Sequence, residues 1–308
     1  MINADNAAVP CGDNQEIKEV KTRSMVKETW RRFKKNRRAV ISLIILMLMV
    51  VTAFGTIIID FVTDGAFYTQ HVLSQNLLYR LAPPSLAHPM GMDELGRDIM
   101  MRVIWGIRNS LFTGALATLG AMLAGAALGA LSGYFKTADN IIMRLMDILM
   151  SIPTILLAIA IVAALGRSHL NVFLAILIAN IPGFARIMRA GVFTVKDYDY
   201  IEAARSMCAR DGRIIMKYIV PNALAPVIVH ATMGVANAIM SIAVLSFLGL
   251  GIPPPSPEWG AMLSSARIYM RETWHMTVMP GAAIIVTVLT INIIGDALRD
   301  ALDPRMRN

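Results

Sequence analysis

The sequence predicts an all-α polytopic membrane protein of six transmembrane helices, with both termini on the cytoplasmic side. Three observations predict it. The 308 residues are 56% hydrophobic and only 16% charged, where soluble domains carry about a quarter charged residues. The charges leave six long empty windows: Ala39–Ile59, Ser110–Phe135, Ile148–Gly166, Ser168–Ala185, Tyr218–Pro257 and Thr273–Gly295. A helical span needs about 20 apolar residues, and each window meets or nearly meets that length. Finally, the basic residues alternate in density between the segments that the windows separate. Of the 29 Lys and Arg, 22 fall on one set of sides, which the positive-inside rule makes cytoplasmic. That alternation accounts for the net charge of +8 without invoking nucleic acid. The short alternating strands of a membrane β-barrel do not occur.

Residues 1–38 read as a cytoplasmic tail. Its stretch from Lys18 to Arg38 holds ten Lys and Arg, a topology signal that also meets anionic lipid. The apolar run that follows starts too late and runs too long for a cleaved signal peptide. Residues 39–59 form the first span. Residues 60–109 form a periplasmic segment with Pro83, Pro84 and Pro89 and the cluster His88–Asp98. Ile99, Val103 and Ile104 share one face of the next stretch, so Ile99–Arg108 is expected as an amphipathic helix at the outer interface running into the second span.

Residues 110–298 form a five-helix core. In the second span Gly125, Gly129 and Gly133 recur every four residues, a spacing that lets two membrane helices approach closely. The partner helix is one of this subunit or of a neighbour. The third span begins with Arg144 and Asp147, three apart on one face and able to pair. Pro153 one turn further in is expected to kink it, and Asn180 with Pro182 to do the same in the fourth span. The fifth window is 40 residues long. Its strong breakers, Gly249, Gly251 and Pro253 to Pro255, come late, so one helix from about Asn222 to Leu245 is expected. Residues 299–308 are a cytoplasmic tail.

Several chemistries are absent. The chain has no GxxxxGK[ST] phosphate loop, no HExxH, no GxSxG and no Cys-x-x-Cys, so neither ATP hydrolysis nor another catalytic activity is expected of it. Cys11 and Cys208 both fall on the cytoplasmic side, where no structural disulfide is expected. His169, His230 and His275 are isolated, no metal site is expected, and the 22 methionines read as packing filler. No acidic residue lies at mid-span, which argues against an independent proton- or sodium-coupled carrier.

Asp197–Pro221 is a polar insert between two spans. Asp199 can cap a short helix to about Met207, Arg210-Asp211-Gly212 breaks it, and Asp211 can cap a second helix to Ile219 that Pro221 ends. Tyr198, Ile201 and Met207 are left as apolar groups at the water side, with a charged rim. That combination suggests a docking surface.

Glu202-Ala203-Ala204 followed by Ile219, Pro221 and Asn222 resembles the EAA loop of binding-protein-dependent ABC transporter permeases. Gly91, Asp93, Gly96, Arg97 and Asp98 resemble the GTDxxGRD segment of the peptide/nickel group. Pro257-Glu258-Trp259-Gly260 resembles its outer-loop PEWG, and Gly295–Arg305 its carboxyl terminus. The basic tail resembles the second, C-type permease of dipeptide and oligopeptide importers. The resemblance runs from about Trp30 to Arg305. It implies a type I ABC importer permease fold in a bacterial inner membrane, moving peptides or, alternatively, nickel or another small solute. It implies a homologous second permease, two ATPase subunits that hold ATP and Mg, and an extracytoplasmic solute-binding protein, with no cofactor on this chain. Glu202, Ala203 and Ala204 would sit on a coupling helix in the ATPase groove, with Asp211 opening the next helix. Two positions depart from the pattern. Cys208 stands where the family has Gly, used for a left-handed turn or for close approach, and Met92 stands where it has Thr.

Overall fold

A computed structural model describes residues 25–302 of the protein. The first half of the tail with Cys11, and Arg305 of the terminal motif, lie outside the described residues. Among those described, the chain is helical apart from connecting loops and one isolated bridge, Met92 to Asp98. The principal helices are α1 (Met25–Lys35), α2 (Arg37–Val62), α3 (Ile99–Tyr134), α4 (Lys136–Met150), α5 (Thr154–Leu165) and α6 (His169–Val195). They continue with α7 (Asp199–Ser206), α8 (Asp211–Phe247), α9 (Trp259–Ala266) and α10 (Trp274–Leu302).

Five of these, α2, α3, α6, α8 and α10, are long and apolar enough to cross a membrane. The third span differs from the expectation. Pro153 does not merely kink a continuous helix; α4 and α5 meet at 88° across Ser151–Pro153. Proline lacks the N–H that would continue the ladder, and its carbonyl instead accepts the first bond of α5, from Leu157. The 12 residues of α5 span roughly 18 Å, well short of a 30 Å hydrocarbon core, so only the bent pair counts as a span. Arg144 and Asp147 do not pair. Asp147 lies 2.7 Å from Arg186 of α6, and Asp139 takes both N–H groups of Arg189 at 2.6 Å. The two carboxylates on α4 reach across to the neighbouring helix, where guanidinium forks are better placed than Arg144 on the same helix.

Pro182, unlike Pro153, does not break its span. Asn180 and Pro182 lie within an unbroken α6, with the Asn180 amide donating to the Ile176 carbonyl at 2.7 Å. Pro221 does not end the second helix of the insert either. That helix passes through a wide turn at Ile215–Ile219 and continues as the fifth span to Phe247. An i→i+5 turn opens the ladder where the proline ring would otherwise meet the carbonyl one turn back. The fifth window is thus one crossing.

α3 and α6 form the centre of the bundle. A Cβ on Gly125 would sit 2.5 Å from Phe184 Cβ, one on Gly133 2.6 Å from Val192 Cβ, and one on Gly129 would overlap the Ala185 carbonyl. The glycine stripe therefore faces α6 of this same chain. With 36 residues, α3 is about 54 Å long and projects well past the membrane core. Its first turns are not an interfacial amphipathic helix. Ile99, Val103 and Ile107 are buried, but so are Arg102 and Trp105, because Arg102 is covered by the segments at Val72 and Pro255 and Trp105 by Asp60 of α2.

Candidate functional site

The polar insert forms an elbow at one end of the bundle. Asp199 and Glu202 lie in the first turn of α7, where the helix dipole favours anions. The cap itself is Tyr198, with no side-chain bond, so Asp199 does not cap. Ile201 is not left at the water side. Ile201, Ala204, Ile214 and Ile219 are buried and pack with Phe184, Met188, Val192 and Val195 of α6. Glu202, Ala203, Tyr198, Tyr200 and Met207 face outward. The two alanines thus take different jobs: Ala204 packs backward and Ala203 lies on the open face.

α7 ends in a left-handed turn. The Cys208 N–H donates to the Arg205 carbonyl at 2.8 Å and the Ala209 N–H to Ala204 at 3.1 Å. This is the paired pattern of a Schellman motif, with Cys208 at its left-handed position. Its φ of 57° is the conformation that glycine adopts freely and that costs a Cβ-bearing residue on the order of 1 kcal/mol. Of the two uses for a small residue there, the left-handed turn is the one the backbone makes.

Asp211 opens α8 without capping it; Arg210 is the cap residue. Its carboxylate instead accepts the Tyr134 hydroxyl at 2.6 Å, and the Arg205 guanidinium lies over the Tyr134 ring, 5.4 Å from its centre. The last residue of α3 is therefore tied to both arms of the elbow. Tyr134 was not singled out by sequence reasoning, because nothing local marks a tyrosine at a span's end as a contact for residues 71 and 77 positions away.

At the opposite end the two outer motifs converge. Gly91 and Gly96 take φ of 77° and 68°, and a Cβ on Gly96 would overlap the Asn76 carbonyl. The buried Asp93 carboxylate accepts the Leu95 and Arg97 backbone N–H groups at 2.9 Å and Arg97 Nε at 2.6 Å. Asp98 caps α3 through the Met101 N–H at 3.1 Å and lies 2.7 Å from His88 Nδ1. From the other side, Glu258 caps α9, accepting from Gly260 and Ala261 at 2.9 and 2.8 Å. Complete burial pushes the Glu258 carboxyl above its ordinary pKa, against the pull of those N–H donors. Trp259 is fully buried and donates from Nε1 to the Val103 carbonyl at 3.0 Å. Gly106 of α3 leaves room for its ring, and Gly260 lets α9 close on Ala243. Arg102 completes the junction, reaching the Pro255 carbonyl at 3.4 Å. Arg102 carries no sequence signal beyond its place after the Gly91–Asp98 motif, whereas Glu258 belongs to the PEWG-like motif itself.

With this geometry in view, comparison with known proteins is decisive. Residues 117–308 match the family model of the binding-protein-dependent transport system inner membrane component. The chain belongs to that family. Residues 24–84 match the N-terminal TM domain of oligopeptide transport permease C. The chain is 42% identical to the dipeptide transport system permease protein DppC of Alkalihalophilus pseudofirmus, over 92% of this chain and 90% of the relative. It is 41% identical to the glutathione transport system permease protein GsiD of Pectobacterium atrosepticum, covering 95% of each, and 41% identical to the di/tripeptide permease DppC of Pseudomonas aeruginosa, covering 92% and 94%. The inward-facing MetNI methionine ABC transporter shares its fold with a TM-score of 0.56 at 17% identity, over 67% of this chain and 98% of that one. The protein is therefore a multi-pass inner-membrane permease subunit of an ABC importer, with the type I permease fold, and its family is one of transporters rather than enzymes.

Proposed function

We propose that the chain is the second permease of an ATP-driven peptide importer, and that its elbow receives the motion of separate ATPase subunits. The observation that carries the reading is the two-sided build of α7. Its rear is clamped by Ile201 and Ala204 to α6, while its front presents Glu202, Ala203 and Met207 to solvent. A partner gripping that front moves α3, α6 and α8 together, a rigid-body switch between two facing states. On this reading the elbow and both termini are cytoplasmic, and residues 60–98 meet an extracytoplasmic binding protein. A homologous permease completes the path. ATP and Mg stay on the ATPases, because this chain has no phosphate loop. Peptides are the solute that the DppC and GsiD relatives support. Purification from mild detergent tests this: two ATPases and a second permease should accompany the chain, and vesicles holding the assembly should take up di- or tripeptides on ATP addition. A chain that purifies alone, or an assembly that takes up no peptide, contradicts the proposal.

A further inference from the structure

The fifth span differs from the others in what it leaves uncovered. Its residues Gly234, Ala238, Ile242 and Leu245 are buried along one side, and Ile239 and Ala243 along another. Gly234 lies against Thr118 and Phe184, and Met233 borders Gly295 of α10. Between these packed sides Pro226, Met233, Asn237, Met240 and Val244 recur at spacings of three, four or seven, and so share one face. All are exposed except the half-buried Met233.

Asn237 stands on this open face ten residues before the helix ends at Phe247. That places it about 15 Å from the helix end, near the middle of a 30 Å core. Among the described residues its side-chain amide has no hydrogen-bond partner; only its backbone carbonyl is met, by the Ser241 hydroxyl. Asn180, also deep in a span, turns its amide back onto a carbonyl. The exposed mid-span residues of α2, α3 and α10 are apolar: Val51, Leu123 and Leu289. An amide without a partner is costly in hydrocarbon, so this face meets water or a polar ligand rather than lipid tails.

We infer that this face of α8 is a wall of the solute path, and that Asn237 pairs there with the backbone amide groups of a passing peptide. The second half rests on the peptide reading above. A side-chain amide offers donors and an acceptor together, and a peptide group presents one of each at every residue. Met233 and Met240 flank it with flexible, polarisable side chains that adapt to varied neighbours. No charged residue lies on the face, so nothing there selects by side-chain charge.

Cysteine labelling in membrane vesicles holding the full assembly tests the path assignment without regard to the solute. A charged, water-soluble thiosulfonate is applied with and without ATP, and modification is mapped to each introduced cysteine by mass spectrometry. Asn237→Cys should react at least about tenfold faster than Val51→Cys, Leu123→Cys and Leu289→Cys in one of the two states. Equal rates in both states overturn the assignment and show the face covered by lipid or by the second permease. Peptide uptake tests the pairing. Asn237→Leu should lower uptake about five- to tenfold, the scale of one lost hydrogen bond, and Asn237→Gln should stay within about twofold of the parent. Unchanged uptake in Asn237→Leu overturns the pairing. Labelled Asn237→Cys in an assembly that takes up no peptide supports the path and overturns both the peptide reading and the pairing that rests on it.

Discussion

The elbow and the outer junction are both places where distant segments meet, and they are built in opposite ways. At the outer junction the chemistry is inside. Asp93, Arg97, Arg102, Glu258 and Trp259 are all buried, and their hydrogen bonds go to fixing loops and helix starts. At the elbow the apolar residues are inside and the chemistry is outside: Ile201 is buried while Glu202 and Arg205 face solvent. A buried polar junction is hard to open, since every broken bond leaves a desolvated group. An apolar rear with a polar front can be gripped and moved without cost to its own fold. The first arrangement suits a part that holds shape, and the second a part that transmits force.

This contrast can be broken most directly at Trp259. Trp259→Ala removes a fully buried indole and its bond to Val103, and should cost about 3–5 kcal/mol of stability, seen as a large fall in the detergent-solubilised protein's Tm. A fall of only a degree or two would show that the outer junction is not the rigid region. A smaller effect is expected at the hinge of the elbow. Tyr134→Phe removes the hydroxyl that Asp211 accepts from and keeps the ring under Arg205, so it should cost about 1 kcal/mol, with an accompanying drop in ATP-driven uptake; unchanged uptake would detach α3 from the transmission route. The smallest effect, and the only stabilising one, is expected from Cys208→Gly. Relief of the left-handed strain should stabilise the protein by up to about 1 kcal/mol and leave uptake intact. Destabilisation would mean that the thiol makes a contribution of its own.

Much of the fold was legible because membrane spans are written in composition. Charge-free length alone marked six spans, five of which are single long helices and one a bent pair, and the late clustering of Gly249, Gly251 and Pro253 to Pro255 kept the fifth window single. Proline was read less well. Pro153 breaks a helix through 88°, whereas Pro182 and Pro221 sit inside continuous ones. The ring removes the same hydrogen bond in each case; what differs is the surrounding packing and, before Pro221, a wide turn that no local pattern announces. Side-chain partnerships were not legible, even local ones: Asp147 chose Arg186 over Arg144, Asp199 leaves the start of its helix to Tyr198, and Asp211 chose Tyr134 over its own helix. Those choices depend on which helices lie side by side. The motif residues, Glu258 among them, marked the elbow and the outer junction, while Tyr134 and Arg102, which tie them to the bundle, come from unremarked positions.

The central claim is that the exposed front of α7 is where the ATPase grips. Glu202→Lys reverses the charge on that front without touching the buried rear formed by Ile201 and Ala204. ATPase co-purification and ATP-driven peptide uptake, measured together on this variant, test the claim. Membrane insertion and Tm should be normal, with at least about a tenfold loss of bound ATPase and a matching loss of uptake. Wild-type levels of both bound ATPase and uptake would contradict it.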